Sequence, residues 1–301
     1  MMTSRPLCLV ALAALTLTGC ARRTASGEHD DHPAAASGAA ATAAVQPSGS
    51  GTLPPSNAEA PARLASSTRR AEWAMIRTGP SDSVAAWVVY PERSAKAPVV
   101  IVIHEIFGLS TWIRGVADQL AADGFIAIAP DLLTMKRVGN LTSEWSADSA
   151  RSAIRTLQPA DVHRQLDAVA RYGMALPAAL PKYGVVGFCW GGSTSFAHAV
   201  HAPTLGAAVV YYGSSPPSSE LTTVRAPVLG LYGGNDARVN ATIPSADSTM
   251  KALGKTYDPK IFAGAGHGFL RQQEDSTGAN AAATRQAWPQ TLAWFRQYLG
   301  S

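Results

Sequence analysis

Cysteine is almost absent from the 301 residues of this sequence, which contains only Cys8, Cys20 and Cys189. Cys8 lies inside the apolar stretch near the start of the chain, and Cys20 lies where that stretch ends. If this region is processed, Cys189 has no partner for an intramolecular disulfide, which excludes a fold held together by disulfides. An unpaired thiol is either a small buried hydrophobe or a nucleophile, and the remaining sequence has to decide between these roles.

Charged residues are also few, at 15% of the sequence, and the formal net charge is only +4. No run of Lys and Arg marks a nucleic-acid-binding face, so we expect no nucleic acid partner. One tract, "EHDDH" from Glu28 to His32, contains metal-ligand residue types. It stands in a polar low-complexity region, and we interpret it as a solvated patch. We therefore expect neither a metal nor an organic cofactor.

The N-terminus has the pattern of a bacterial export signal. Arg5 precedes the apolar run "LCLVALAALTLTG", which is short for a membrane span. The following "LTGC" resembles the lipobox of bacterial lipoproteins, in which the cysteine is lipidated; the alternative is an ordinary secretory signal that contains a cysteine. We predict a signal peptide at residues 1–20 and lipidation of Cys20. The protein would then be exported and anchored to a bacterial membrane, on the periplasmic or cell-surface side.

Composition divides the rest of the chain into two parts. Residues 21–66 are mostly Ala, Ser, Thr, Gly and Pro, with few bulky apolar side chains. Such a segment buries too little surface to offset its ordering entropy, so we predict a disordered tether. Residues 67–301 are sufficient for one domain with a two-sided core.

Within residues 67–301, strand-like runs alternate with helical patterns. "APVVIVIHE", from Ala97 to Glu105, is apolar at nearly every position, as expected of a strand covered on both faces. "STWIRGVADQLAADG" follows with Ser110 as a candidate N-cap and Gly124 beyond the helix end. The alternation predicts an α/β fold, with a mostly parallel central sheet and helices on both faces. Ligands bind such sheets beyond the carboxyl ends of the strands, so residues directly after each apolar run are candidates.

The best candidate nucleophile is Cys189 in "GFCWGG". A reactive residue flanked by glycines between a strand and a helix is typical of a nucleophile elbow, which here carries cysteine instead of serine. A helix N-terminus favours thiolate, so we expect the pKa of Cys189 to be lowered. The alternative is an inert core cysteine.

Two further strand ends supply the remaining members of a catalytic triad. Asp236 in "GGND" and His267 in "GAGHGF" follow Cys189 in the chain order nucleophile, acid, base. His267 would take or share the thiol proton, and Asp236 would fix the imidazole tautomer and stabilise the imidazolium. Taken singly, Asp236 could be a turn former and His267 a loop histidine. Three other histidines compete for the role of base: His104, His198 and His201.

Four motifs in order resemble the dienelactone hydrolase family, a branch of the α/β-hydrolases with a cysteine nucleophile. They are "VIVIHEIFG", "VGFCWGG", "GGND" and "AGHGF", and the resemblance covers residues 70–300. It implies the α/β-hydrolase fold and a Cys189, Asp236 and His267 triad. It also implies that Glu105 sets the protonation state of the resting thiol and swings away when substrate binds; otherwise Glu105 is a charged strand terminus in solvent. The oxyanion hole would be the backbone N–H groups of Ile106 and Trp190.

The resemblance also bears on the substrate. Arg271 matches an arginine that holds the substrate carboxylate in the family, although it could be a surface residue beside Glu274 and Asp275. A second such arginine is left open between Arg151 and Arg155. We expect a monomeric hydrolase that cleaves a small carboxylic ester or lactone through an acyl-thioester. The alternatives are a broad small-ester carboxylesterase and a non-catalytic exported binding protein on a hydrolase scaffold.

Overall fold

The computed structural model describes residues 52–137, 139–140 and 143–300. The predicted signal peptide, the predicted lipidation site Cys20 and residues 21–51 of the predicted tether lie outside the described residues.

Eight strands form one sheet in the order β1-β2-β4-β3-β5-β6-β7-β8. They are β1 (Ala71–Arg77), β2 (Ser83–Val89), β3 (Ala97–Ile103), β4 (Ile126–Pro130), β5 (Ala179–Phe188), β6 (Ala207–Tyr211), β7 (Val228–Gly233) and β8 (Tyr257–Phe262). Strand β2 pairs antiparallel with β1 and with β4, and the remaining neighbours pair in parallel. The mostly parallel sheet predicted from the sequence is confirmed.

Eight α-helices accompany the sheet in the described residues. They are α1 (Ala60–Ala65), α2 (Thr111–Ala122), α3 (Ala147–Ile154), α4 (Pro159–Ala175), α5 (Trp190–His201), α6 (Ala237–Asn240), α7 (Ile243–Ala252) and α8 (Ala279–Leu299). Short 3₁₀ turns span Thr134–Lys136 and Ser218–Thr223. None of the helices in this part of the chain is long and apolar enough to cross a membrane.

Strand β3 shows why the helices cover both faces of the sheet. Every residue of β3 is buried. Val99, Ile101 and Ile103 join a core cluster that includes side chains of α4, α5 and α7. Val100 and Val102 join a second cluster with side chains of α2 and α8. Because side chains alternate between the two faces of a strand, a continuous apolar run implies a helical layer on each side.

The predicted ends of α2 are also confirmed. Ser110 precedes the helix with extended backbone, and its side chain accepts a hydrogen bond from Ile113 N at 3.4 Å. Gly124, just beyond the helix, has a φ of 101°. The hydroxyl satisfies one of the unpaired N–H groups of the first turn, and glycine adopts the left-handed conformation that ends the helix at little cost.

Residues 52–66, which fall within the predicted tether, pack against the domain. Pro54, Pro55 and Ala60 are buried, and Trp112 Nε1 donates to Pro55 O at 3.0 Å. A Cβ on Gly115 of α2 would lie 2.9 Å from Pro55, so this glycine leaves room for the segment to pack. Composition alone missed the contact because prolines lose little backbone entropy on ordering, so a short apolar surface is enough to fix them.

Candidate active site

Cys189 lies on a sharp turn between β5 and α5. Its backbone has φ 56° and ψ −114°, where a residue with a Cβ is strained. Its N–H donates to Tyr211 O at 3.1 Å, which ties the turn to the neighbouring strand β6. The turn holds the half-buried thiol at the N-terminus of α5, as in a nucleophile elbow.

The glycines around Cys189 are required by close backbone packing. A Cβ on Gly187 would lie 1.9 Å from Gly191 O, and one on Gly191 would lie 2.3 Å from Ile103 O. Neither position has room for a side chain, because backbone atoms occupy the space. The elbow therefore depends on β5, α5 and the end of β3 approaching one another directly.

His267 and Asp236 form a hydrogen-bonded pair. His267 Nδ1 and Asp236 Oδ2 are 2.5 Å apart, and the side chain of Asp236 is 7% exposed. Asp236 follows β7 and caps α6, since its Oδ1 accepts from Val239 N at 3.4 Å. With Nδ1 donating to the carboxylate, Nε2 of His267 is the nitrogen that can accept a proton. The structure thus pairs two residues that lie far apart in the sequence, as a base and its orienting acid require.

Glu105 is buried at the end of β3, which excludes its alternative role as a solvated strand terminus. Its side chain is 5% exposed, and Glu105 Oε2 lies 3.2 Å from Arg271 Nε. Neither atom has a hydrogen-bond partner among the described residues, so this contact is an ion pair without hydrogen-bond alignment. Burial raises the pKa of Glu105 to about 7, although Arg271 opposes the shift. The carboxyl can therefore change its charge near neutral pH.

The prediction that the pKa of Cys189 is lowered is wrong. Burial raises the pKa of the thiol, and the charge of Glu105 raises it further. The backbone N–H of Trp190 lowers the pKa, but this effect is smaller than the loss of solvation. The resting site therefore holds a thiol rather than a thiolate.

The three competing histidines are all engaged elsewhere. His104 is fully buried; its Nδ1 donates to Glu105 O at 2.7 Å and its Nε2 accepts from Leu132 N at 3.3 Å. His198 is buried against Tyr183, and His201 pairs with Asp167. In His104 both ring nitrogens are used by the backbone, so its role is to fix the adjoining loops.

Two arginines lie against one aromatic ring beside Glu105. The guanidinium carbons of Arg271 and Arg151 lie 4.8 Å and 5.1 Å from the centre of the Phe107 ring. Arg271 is thus not the surface residue of the alternative interpretation, and its side chain is 23% exposed. Of the two candidates for a second such arginine, Arg151 is the one that lies against this ring, and its contact with substrate stays a prediction. The sequence could not decide because the direction of each side chain depends on how α3 is rotated.

Tyr212 was missed by the sequence analysis. It is the other non-glycine residue with positive φ among the described residues, at 40°. It follows β6, and its ring centre lies 5.2 Å from that of His267. Tyr212 directly follows the apolar run of β6. It could have been found from the sequence in the same way as Cys189 and Asp236, which also follow apolar runs.

The two predicted oxyanion-hole donors lie at neighbouring strand ends. Ile106 closely follows β3 and Trp190 closely follows β5, and these two strands pair in parallel with Ile103 opposite Gly187. The same two strand ends carry Glu105 and Cys189. Among the described residues, no group of three or more His, Cys, Asp and Glu side chains is arranged to hold a metal ion.

Comparison with known proteins gives one consistent result. The sequence model described as "Dienelactone hydrolase family" matches residues 84–299. A protein of Salmonella typhimurium assigned as a carboxymethylenebutenolidase is 33% identical over 232 residues, which cover 73% of this chain and 84% of that protein. A Bradyrhizobium protein assigned as a 2-oxo-3-(5-oxofuran-2-ylidene)propanoate lactonase is 30% identical over 250 residues, with coverage of 78% and 98%. A solved structure from Klebsiella pneumoniae, assigned as a dienelactone hydrolase, has a TM-score of 0.66 at 28% identity and covers 77% of this chain and 100% of its own.

Proposed function

The chain belongs to the dienelactone hydrolase family and is an ester or lactone hydrolase with the α/β-hydrolase fold; we propose that Cys189 is its nucleophile. The observation that carries this proposal is the strained backbone of Cys189 at the N-terminus of α5. An inert core cysteine needs no positive φ, whereas a nucleophile needs its side chain raised above the sheet.

The reaction begins with a protonated thiol. When Glu105 moves away from Cys189, the anion that raises the pKa of the thiol is removed, and Nε2 of His267 takes the proton. Asp236 stabilises the resulting imidazolium through the 2.5 Å hydrogen bond at Nδ1. The thiolate then attacks the carbonyl carbon of the substrate.

The tetrahedral intermediate and its collapse use the backbone at the two strand ends. The N–H groups of Ile106 and Trp190 donate to the oxyanion; loss of one such donor typically costs about 10²–10³ in rate. The carbon–oxygen bond breaks, His267 gives its proton to the leaving oxygen, and a thioester remains on Cys189. His267 next takes a proton from water, the hydroxide attacks the thioester, and the acid leaves as the sulfur recovers its proton.

We propose a substrate that carries a carboxylate. Arg271 and Arg151 offer two guanidinium groups beside Glu105, and a substrate carboxylate is the natural competitor for the Arg271–Glu105 ion pair. Binding of the anion to Arg271 would release Glu105, which couples substrate recognition to activation of the thiol.

The Salmonella and Bradyrhizobium relatives carry the names of a carboxymethylenebutenolidase and a furan-derived lactonase. These names favour a dienelactone-like lactone as the first compound to test. Neutral small esters are the alternative, and they would need no contact with either arginine.

Rates of hydrolysis separate these possibilities. We expect the full chain to hydrolyse dienelactone, the Cys189→Ala variant to lose this activity, and Arg271→Ala to raise KM for dienelactone more than for methyl acetate. Turnover of neutral esters alone would remove the anionic substrate and leave the mechanism in place. Equal activity in the wild type and in Cys189→Ala would contradict the nucleophile.

We further propose that Cys20 is lipidated and that the chain is a monomer anchored to a bacterial membrane, on the periplasmic or cell-surface side. The sequence "LTGC" and the small-residue composition of residues 21–51 support this placement. In a membrane fractionation, Cys20→Ala should move the protein from the membrane to the soluble fraction, whereas retention of this variant in the membrane would contradict the lipid anchor.

A further inference from the structure

A cavity of about 190 Å³ lies between α4 and α5, beside the proposed nucleophile. Leu157, Pro159 and Val162 line it on the side of α4, and Trp190 and Ala197 line it on the side of α5. His163, Ser193 and Thr194 complete the lining, which contains no Asp, Glu, Lys or Arg side chain, and this distinguishes the cavity from the arginine-bearing side of the site. It is therefore suited to an apolar ligand group.

Two residues of the cavity wall belong to the first turn of α5, directly after Cys189. Trp190 is the residue after Cys189, and Ser193, which also lines the cavity, donates from its backbone N–H to Cys189 O at 3.1 Å. Trp190 packs in a small apolar cluster that also includes Ile106 and Leu157. The two proposed oxyanion-hole residues therefore pack in the same apolar cluster as Leu157, a residue of the cavity wall.

The side chain of Trp190 is held in place by a contact with His104. Its indole stacks on the ring of His104, with 5.4 Å between ring centres and an interplanar angle of 21°. His104 is itself fixed by hydrogen bonds to Glu105 O and from Leu132 N. A tryptophan supported in this way does not collapse into the cavity, so the space is available before a ligand arrives.

Volume and chemistry together indicate the occupant. An apolar cavity of about 150 Å³ is large enough to bind benzene, so this one can hold a single aromatic ring and a short linking group. We infer that the cavity is a specificity pocket for a single-ring apolar substituent of the ester or lactone. This inference rests on the proposed function: the carboxylate arm of the substrate meets the arginines, and the ring enters between α4 and α5.

The test compares esters that differ only by a ring. Benzyl acetate is paired with methyl acetate, and methyl phenylacetate with methyl acetate, so that a ring on either side of the scissile bond is covered. In at least one pair, the wild type should have a kcat/KM for the ring-bearing ester that is about 10–200-fold higher than its kcat/KM for methyl acetate. This is the range that small apolar groups provide in a fitted pocket. A ratio near one in both pairs would overturn the inference.

Filling the cavity should remove this preference. Ala197→Phe places a side chain in the cavity from α5, and Leu157→Trp does so from the opposite wall if the first variant does not fold. Either variant should bring the ratio of kcat/KM towards one. The matched control is Ala175→Phe at the exposed C-terminal end of α4, which should keep the wild-type ratio. An unchanged ratio in a folded cavity variant would overturn the inference.

A binding measurement separates this inference from the proposed function. The probe 4-fluorophenol, followed by fluorine NMR, should bind the catalytically silent Cys189→Ala protein and should not bind Cys189→Ala with Ala197→Phe. Binding that is lost on filling supports the pocket even if no ester is hydrolysed. Absence of binding, or equal binding to both proteins, would contradict the pocket even if ester hydrolysis through Cys189 is established.

Discussion

At the scale of single residues, two buried carboxyl groups act on the two side chains that exchange a proton in the proposed mechanism. Asp236 accepts the hydrogen bond from Nδ1 of His267 and orients its ring. Glu105 raises the pKa of the Cys189 thiol and disfavours its charged form. The resting site therefore holds the proton on sulfur, and in the proposed mechanism a change at Glu105 precedes formation of the nucleophile.

Replacement of Asp236 by asparagine tests the first of these effects. Asp236→Asn keeps the size of the side chain but removes the carboxylate that fixes the imidazole tautomer, so kcat should fall by about 10⁴, as the same change does in a serine-protease triad. The control is Asp258→Asn on β8, a partly exposed residue that pairs with Lys260 and lies outside the site. A loss of less than about tenfold in Asp236→Asn would show that His267 is not the base or is oriented by another group.

Replacement of Glu105 by glutamine tests the second effect. At pH 8 Glu105 is mostly charged, because its pKa is about 7. Glu105→Gln removes a negative charge near the sulfur, so the pKa of Cys189 should fall and the thiolate fraction should rise. Alkylation of Cys189 by iodoacetamide at pH 8 should become about threefold to tenfold faster.

The control for that experiment is the same measurement at pH 5.5, where Glu105 of the wild type is mostly protonated. At this pH the alkylation rates of the wild type and Glu105→Gln should differ less than at pH 8. A slower reaction of Glu105→Gln at pH 8 would show that Glu105 promotes thiolate in the resting protein. It would thereby contradict the electrostatic account given above.

At the scale of secondary-structure elements, α4 and α5 meet through a group of histidines. The ring of His163 stacks on His201 with 4.5 Å between centres and lies 5.8 Å from His198. Tyr183 and Asp167 contact the same group from β5 and α4. Burial lowers the pKa of His198 to about 3 and also lowers the pKa of His163. The contact between the two helices thus favours neutral rings at His198 and His163.

The packing of α4 on α5 should consequently weaken in acid. Below the ordinary histidine pKa of about 6.5 the unfolded chain binds a proton that buried His198 does not, so stability falls as pH falls from about 6.5 towards 3. Between pH 7 and pH 5 the free energy of unfolding should fall by about 2 kcal/mol because of His198. Urea unfolding at both pH values measures this change.

The matched variants are His198→Gln and His201→Gln. The first should reduce the fall in stability between pH 7 and pH 5. The second changes an exposed histidine and should leave the fall close to that of the wild type. An equal fall in the wild type and in His198→Gln would show that other groups control the acid sensitivity.

The secondary-structure elements differ in how much of their structure could be predicted from the sequence. The apolar run of β3 and the cap at Ser110 are local signals, and both predictions are confirmed. The glycines around Cys189 predict the elbow, because only a close approach of the backbone requires them. The pKa of the thiol was predicted in the wrong direction, since burial and the position of Glu105 are properties of the tertiary structure. The position of Arg151 beside Phe107 likewise depends on how α3 packs.

At the scale of the whole molecule, the segment before the first strand supports the loop that carries Arg271. We call residues 52–59 the N-terminal strap. Asn57 N donates to Arg271 O at 2.9 Å, and Gln273 Nε2 donates to Pro54 O at 3.0 Å. The strap also packs on α2 through Pro55. A protein shortened to residues 67–301 would therefore lose a support of the loop that carries Arg271.

Loss of one of these contacts should be measurable as a loss of stability. Gln273→Ala removes the hydrogen bonds to Pro54 O and Leu270 O, and each such bond contributes about 1 kcal/mol. Tm should fall by about 2–4 °C for each kcal/mol in a domain of this size. Gln272→Ala, at the exposed neighbouring position, is the control and should change Tm by less than about 1 °C. Equal melting temperatures for both variants would show that the strap contact contributes little.

The measurement that tests the central claim most directly is the detection of an acyl group on Cys189. The full chain is mixed with 4-nitrophenyl acetate, quenched in acid within milliseconds, and analysed by mass spectrometry of the intact protein and of its peptides. The account predicts one acetyl group on the peptide that contains Cys189, removable by hydroxylamine and absent in Cys189→Ala. Hydrolysis of the ester with the acyl group on another residue, or with turnover retained in Cys189→Ala, would contradict it.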